Sequence, residues 1–218
     1  REFASDASHQ LRTPLTALSM RLEEMIEAAD YPDVVREEGA AALASAALVC
    51  SPQNDDLEGR ASPYDSTTVQ VGEVAAKICY GRPAVRGRQV FGAEDALVPY
   101  GQLWRTGANE PTTVHLAGSV EIAGIPVDAG SYSLYTIPGE DEWTVIVNRS
   151  VTQWGYESLY SAEIEAQEVG RATVPSERLE DPIETFTIRP EPAVGRTGEL
   201  VLGWARTRVR IPVTPAGG

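Results

Sequence analysis

The chain has one lysine, two histidines, two cysteines and no run of eighteen apolar residues among its 218 positions. Each shortage excludes something. A membrane-spanning helix needs about twenty consecutive apolar residues, so no transmembrane segment is expected. Cys50 and Cys79 are too few for a disulfide framework, and His9 and His115 alone cannot furnish a zinc cluster. No phosphate-cradling glycine loop, nucleophile elbow or metal-ligand motif occurs, so no cofactor and no metal are expected. Cations are scarce as a class: 18 Lys plus Arg stand against 32 Asp plus Glu, a formal charge of -14. Neutralising phosphates takes a basic surface, so a nucleic-acid partner is not expected.

What is present divides by periodicity. Residues 3 to 27 place apolar side chains at Phe3, Ala7, Leu11, Leu15, Leu18, Leu22 and Met25 or Ile26, the spacing of an amphipathic helix with a coiled-coil-like seam. Tyr31-Pro32-Asp33 interrupts it, and Pro32 opens a second helix to Val49 that is rich in Ala and Leu. From Val69 onward short β-rich runs alternate with Gly and Pro, as in Ala75–Tyr80, Thr112–Leu116, Ser131–Ile137, Glu163–Val174, Leu200–Trp204 and Thr207–Val213. The expected fold is therefore α+β. A helical hairpin spans residues 1–49, a linker residues 50–65, and a mainly antiparallel β-sandwich or barrel residues 66–214.

Within the first helix, Asp6-Ala7-Ser8-His9-Gln10-Leu11-Arg12-Thr13-Pro14-Leu15 has a specific chemistry. His9 lies about 200° around the helix from Leu11, away from the seam, and Thr13 follows one turn later on the same side. Pro14 removes the amide that would bond to the carbonyl of Gln10, which bends the helix beside the histidine. This segment resembles the phosphoacceptor and dimerisation hairpin of sensor histidine kinases over residues 1 to 46. The resemblance implies that His9 is the phosphoacceptor, that Thr13 assists dephosphorylation of a response regulator, and that the hairpin makes a homodimer. It departs at Gln10, where an acid is usual; an amide orients the imidazole but cannot act as a base. No Asn-box helix or glycine-rich lid follows, so autonomous kinase activity is not expected, and phosphate would come from a separate kinase.

The β-rich region concentrates arginine at turns: Gly81-Arg82-Pro83, Arg86-Gly87-Arg88 and Trp104-Arg105-Thr106-Gly107-Ala108-Asn109. Guanidinium groups recognise carboxylates and phosphates through paired hydrogen bonds. Arg82, Arg86, Arg88, Trp104, Arg105 and Asn109 are therefore candidate ligand-binding residues for an anionic or carbohydrate-like molecule. The same arginines could equally pair with the chain's own carboxylates and fix the turns. Trp143, Trp154 and Trp204 read as core or rim packing. His115 reads as a satisfied or solvent-facing strand residue, and Cys79 as a small buried one. With Leu97-Val98-Pro99-Tyr100-Gly101, Ala129-Gly130-Ser131-Tyr132-Ser133-Leu134 and Trp143-Thr144-Val145-Ile146-Val147-Asn148, these turns resemble the bacterial family called domain of unknown function 2911, over about residues 61 to 213. That family implies a mostly β fold and no named reaction.

Two functions follow as expectations. One is a two-component signalling fragment that offers His9 to a response regulator or a separate kinase. The other is a non-enzymatic binding module in which the hairpin is an inactive fusion. The first belongs in the cytoplasm and the second in the cell envelope or outside. Ala44–Cys50 can also be read as the remnant of an export signal with Cys50 as its lipidated residue.

Overall fold

The computed structural model is described over residues 48–54, 56–192 and 197–216. The predicted hairpin, with His9, Gln10 and Thr13, lies outside the described residues, apart from its last two positions.

The α+β expectation is overturned for the described part, which is almost entirely strand. Its helical content is one 3-10 turn, Glu157–Leu159, and one four-residue helix, α1, Ala162–Glu165. The choice between sandwich and barrel is corrected as well: the main strands form a single nine-stranded antiparallel sheet. In chain order they are β1 (Tyr64–Val71), β2 (Val74–Gly81), β5 (Thr112–Leu116), β6 (Val120–Ile122), β7 (Ile125–Val127), β8 (Gly130–Ile137), β9 (Glu142–Asn148), β10 (Glu168–Pro192) and β11 (Gly198–Pro215). Their order across the sheet is β1-β2-β5-β8-β9-β10-β11-β6-β7. Two short segments, β3 (Phe91–Gly92) and β4 (Val98–Pro99), make a separate parallel pair.

One sheet suffices because β10 is 25 residues long and serves two neighbours in turn. Residues 168–175 pair with β9, and from Ser176 onward the strand pairs with β11. The register slips between Arg178 and Ile183 and again before Thr187. Such irregularities bend a strand and raise its twist. The β1–β2 end of the sheet therefore comes over β10 and β11. Gly198 of β11 abuts Val69 of β1, and the Tyr80 hydroxyl of β2 meets both the amide and the carbonyl of Ile188 in β10.

The core follows from strand alternation. In β2, Ala76, Ile78 and Tyr80 enter the core cluster, and in β9, Trp143, Val145 and Val147 do. Phe91, Trp104, Trp143, Phe186 and Trp204 meet there in mostly perpendicular contacts, with Trp104 stacked on Trp204 at 5.7 Å. Perpendicular packing suits the negative faces and positive edges of aromatic rings. The indole nitrogens of Trp143 and Trp204 have no hydrogen-bond partner among the described residues.

On the outer face of β2 Cys79 is buried, as its reading as a small buried residue expects, and it has a covalent partner that the reading did not supply. Cys79 is joined to Cys50 by a disulfide with a Cα–Cα distance of 5.8 Å. Closing a chain loop of this order restricts the unfolded state and typically contributes about 2–4 kcal/mol. The bridge also leaves no thiol on Cys50 for a lipid. The segment around it is fastened further by Arg60, whose guanidinium makes two hydrogen bonds to Glu110 at 2.8 and 3.0 Å, and by Gln53, which donates to Glu110 and to the Val151 carbonyl.

Candidate functional site

The loop Trp104–Glu110 is built as a knot. The Trp104 backbone bridges to Thr136 of β8, and its indole N–H donates to the Gly107 carbonyl at 3.1 Å. The Thr112 hydroxyl donates to the Thr106 carbonyl at 2.6 Å, and the Thr106 and Thr136 hydroxyls meet at 3.1 Å. Thr106 and Asn109 hold left-handed backbone angles, φ 55 and 66. Glycines let neighbours close on this loop: a β-carbon at Gly81 would strike the Ala108 carbonyl, and one at Gly155 the Asn109 carbonyl.

The segment 88–103 folds over the adjoining end of the core. Leu97, Val98 and Tyr100 donate backbone N–H groups to the carbonyls of Gln89, Val90 and Gly92, and Gly101 donates to Pro138. Val90, Phe91 and Val98 thereby pack inward. Between this segment and the Trp104 loop lies a cleft of about 1110 Å³. Its floor includes Trp104 and Trp204, its walls Leu97, Pro99, Tyr100 and Leu103, and its charged groups Arg88, Arg105, Glu94, Glu140 and Glu157.

The six residues nominated from sequence are distributed unevenly around it. Arg88, Trp104 and Arg105 line the cleft; Arg82, Arg86 and Asn109 do not. Arg82 ties strands together through Asp65 at 3.0 Å, the Phe186 carbonyl and Thr187. Arg86 donates to the Ala61 carbonyl at 2.7 Å, while its amide donates to Glu184. The Asn109 amide donates to the Ser62 carbonyl. Arg88 donates to the carbonyls of Ala84 and Val85 within its own turn. Arg105 donates to the Gly155 carbonyl at 2.7 Å, has Glu157 at 3.5 Å and lies over the Tyr156 ring. Trp104 is 4 % exposed, so it supports the cleft more than it offers a face to a ligand.

Sequence reasoning did not nominate Glu94, Tyr100 and Glu140. The Glu94 and Glu140 carboxylates have no partner among the described residues, and Tyr100 is 38 % exposed. Tyr100 lies in the run Leu97-Val98-Pro99-Tyr100-Gly101, whose one signal in the sequence is the family resemblance.

A second polar cluster occupies the outer face of β5, β8 and β9. The His115 ring nitrogens meet Ser131 at 2.8 Å and Thr113 at 3.1 Å, and burial, then the charge of Lys77, holds its pKa below the usual imidazole range. Tyr135 is pushed up to about 12, chiefly by burial, and accepts from Gln153. Tyr160 donates to Glu168 at 2.5 Å; burial and that carboxylate both raise its pKa. Burial pulls Glu168 upward, yet hydrogen bonds from Arg171 and Tyr160 outweigh it and keep the group ionised below the usual range. Each of these groups is engaged with a neighbour, His115 with Ser131 and Thr113, and Tyr160 with Glu168. Among the described residues no cluster of His, Cys, Asp and Glu is arranged to hold a metal.

Residues 62–213 match the family described as protein of unknown function, DUF2911. The chain belongs to this family. Residues 1–47 match the His Kinase A phospho-acceptor domain. No curated protein and no solved structure matches the chain. In this DUF2911 domain the turns that carry the resemblance, Arg86-Gly87-Arg88, Leu97–Gly101 and Trp104–Asn109, all contribute residues to the cleft or brace it.

Proposed function

We propose that the DUF2911 domain is a non-enzymatic binding module that takes a small polar ligand, anionic or carbohydrate-like, in the cleft above Trp104. The observation that carries this reading is the set of groups left free there. Arg88 spends only two guanidinium N–H groups, both within its own turn, and Glu94 and Glu140 are unpartnered among the described residues. A concave site with apolar walls and a few free polar groups is the usual form of a ligand pocket. Because Arg88 fastens nothing beyond its turn, Arg88→Ala should leave the thermal midpoint of the ligand-free domain unchanged. It should weaken a ligand found by thermal-shift screening of sugars and organic acids about tenfold, equivalent to about 1.4 kcal/mol. Unchanged binding in both Arg88→Ala and Tyr100→Ala would sink the proposal.

The match of residues 1–47 favours a second reading, in which that segment dimerises and His9 receives phosphate from a separate kinase or passes it to a response regulator, with Gln10 orienting the ring and Thr13 assisting hydrolysis. The Cys50–Cys79 bridge weighs against its use in the cytoplasm, because disulfides persist mainly in oxidising compartments. Incubation with histidine kinases and ATP should give an acid-labile phosphate on the wild type and none on His9→Ala. A chain that stays unphosphorylated with every kinase tried removes this reading.

A further inference from the structure

We infer that the ligand of this cleft is an extended neutral oligosaccharide and not an anion. The inference rests on the cleft reading above and narrows it by charge, surface and length.

Charge comes first. Arg105 already holds the Gly155 carbonyl and has Glu157 beside it, so its field is largely spent. What remains is the single guanidinium of Arg88 against the free carboxylates of Glu94 and Glu140. A carboxylate or phosphate entering the cleft would gain one cation and meet two like charges, and like-charge juxtaposition is a strong negative selector. A sugar hydroxyl is both donor and acceptor. It can donate to Glu94 or Glu140 while another hydroxyl accepts from Arg88, and no net charge is desolvated.

The surface agrees. Tyr100 and Leu97 are exposed, at 38 % and 44 %, on a segment whose backbone is pinned by hydrogen bonds to Gly92, Gln89 and Pro138. An exposed aromatic ring and an exposed aliphatic side chain lining one cleft offer the apolar surface that the C–H face of a pyranose ring needs, with polar partners at its edge.

Length follows from a second depression of about 470 Å³, which shares Arg88, Tyr100 and Glu140 with the first. Pockets for single drug-sized ligands run to about 300–1,000 Å³. Two depressions meeting at one tyrosine fit a chain that crosses Tyr100 with sugar units on both sides. In the second depression Arg178 and Arg206 stand with Asp141 and with Glu177, which Arg208 and Arg210 also pair with; together with the shared Arg88 and Glu140 the lining holds three groups of each sign.

The experiment is calorimetric titration of the whole chain with neutral hexasaccharides of glucose, xylose and mannose, the corresponding disaccharides, and a galacturonate hexasaccharide. At least one neutral hexasaccharide should bind, its disaccharide at least tenfold more weakly, and Tyr100→Ala should lower hexasaccharide affinity tenfold or more. Preferential binding of the galacturonate chain, lost in Arg88→Ala, overturns the inference and leaves the cleft reading intact. Equal affinity for di- and hexasaccharide overturns the extended chain. If no saccharide in the set binds, the inference fails, while the cleft reading still stands or falls on the Arg88→Ala screen.

Discussion

Trp104→Ala is expected to lower the unfolding free energy by about 3–5 kcal/mol, the range for truncating a large aromatic in a packed core. The indole touches Phe91, Trp143, Phe186 and Trp204 at ring-centroid distances of 5.2 to 5.9 Å, so its removal opens a cavity that four rings border. The side chain also donates to the Gly107 carbonyl, and that bond helps close the Trp104–Glu110 knot. Trp204 supplies the control, because its nitrogen has no partner among the described residues. Trp204→Phe should therefore cost volume alone, whereas Trp104→Phe should cost volume and about 1 kcal/mol more for the lost hydrogen bond. Denaturant midpoints at unchanged slope measure both. A Trp104→Ala loss below about 1 kcal/mol would mean that the aromatic cluster is not the centre of this core. Because Trp104 and Trp204 also floor the cleft, the alanine variant should lose ligand binding along with stability.

Strand β2 shows how far the sequence could be read. Ala76, Ile78 and Tyr80 alternate with Lys77 and Cys79, and the alternation marks a strand with one face in the core. The outer face defeats the same logic, because Cys79 is covered by Cys50, 29 residues away, and no local pattern encodes that partner. The sequence pattern of strand β11 reads as two runs, Leu200–Trp204 and Thr207–Val213. Ala205 between them has φ 51, so the alternation breaks although the strand continues. The pattern of Glu163–Val174 reads as a strand throughout, but Ala162–Glu165 is helical and pairing begins at Glu168. The site divides in the same way. Arginine at turns was legible; the destination of each guanidinium was not, since Arg82 and Arg86 end on Asp65 and the Ala61 carbonyl, well away in sequence. Glu94 and Glu140 carried no signal, because in a chain with 32 acidic residues a lone carboxylate looks like solvated surface.

Glu110→Ala should destabilise the domain by about 3–5 kcal/mol, as removal of one partner from a buried ion pair does. The Arg60 and Glu110 side chains are 10 % and 4 % exposed, and the guanidinium grips both carboxylate oxygens. Without the carboxylate, Arg60 keeps only the carbonyls of Asp56 and Asn54, and the Gln53 amide loses its acceptor. The burden falls on the uncompensated guanidinium, so removing it as well should restore stability: Arg60→Met with Glu110→Leu is expected within about 1–2 kcal/mol of wild type, since apolar replacement of a buried pair is often neutral. A double-mutant cycle separates these contributions. Glu110→Ala should also raise hydrogen exchange at Gln53 through Arg60 and next to Val151, which the Gln53 side chain reaches, while β8 and β9 keep their protection. Additive single and double variants would mean that the two charges do not depend on each other, and that the disulfide and the Gln53–Val151 hydrogen bond fasten this segment without them.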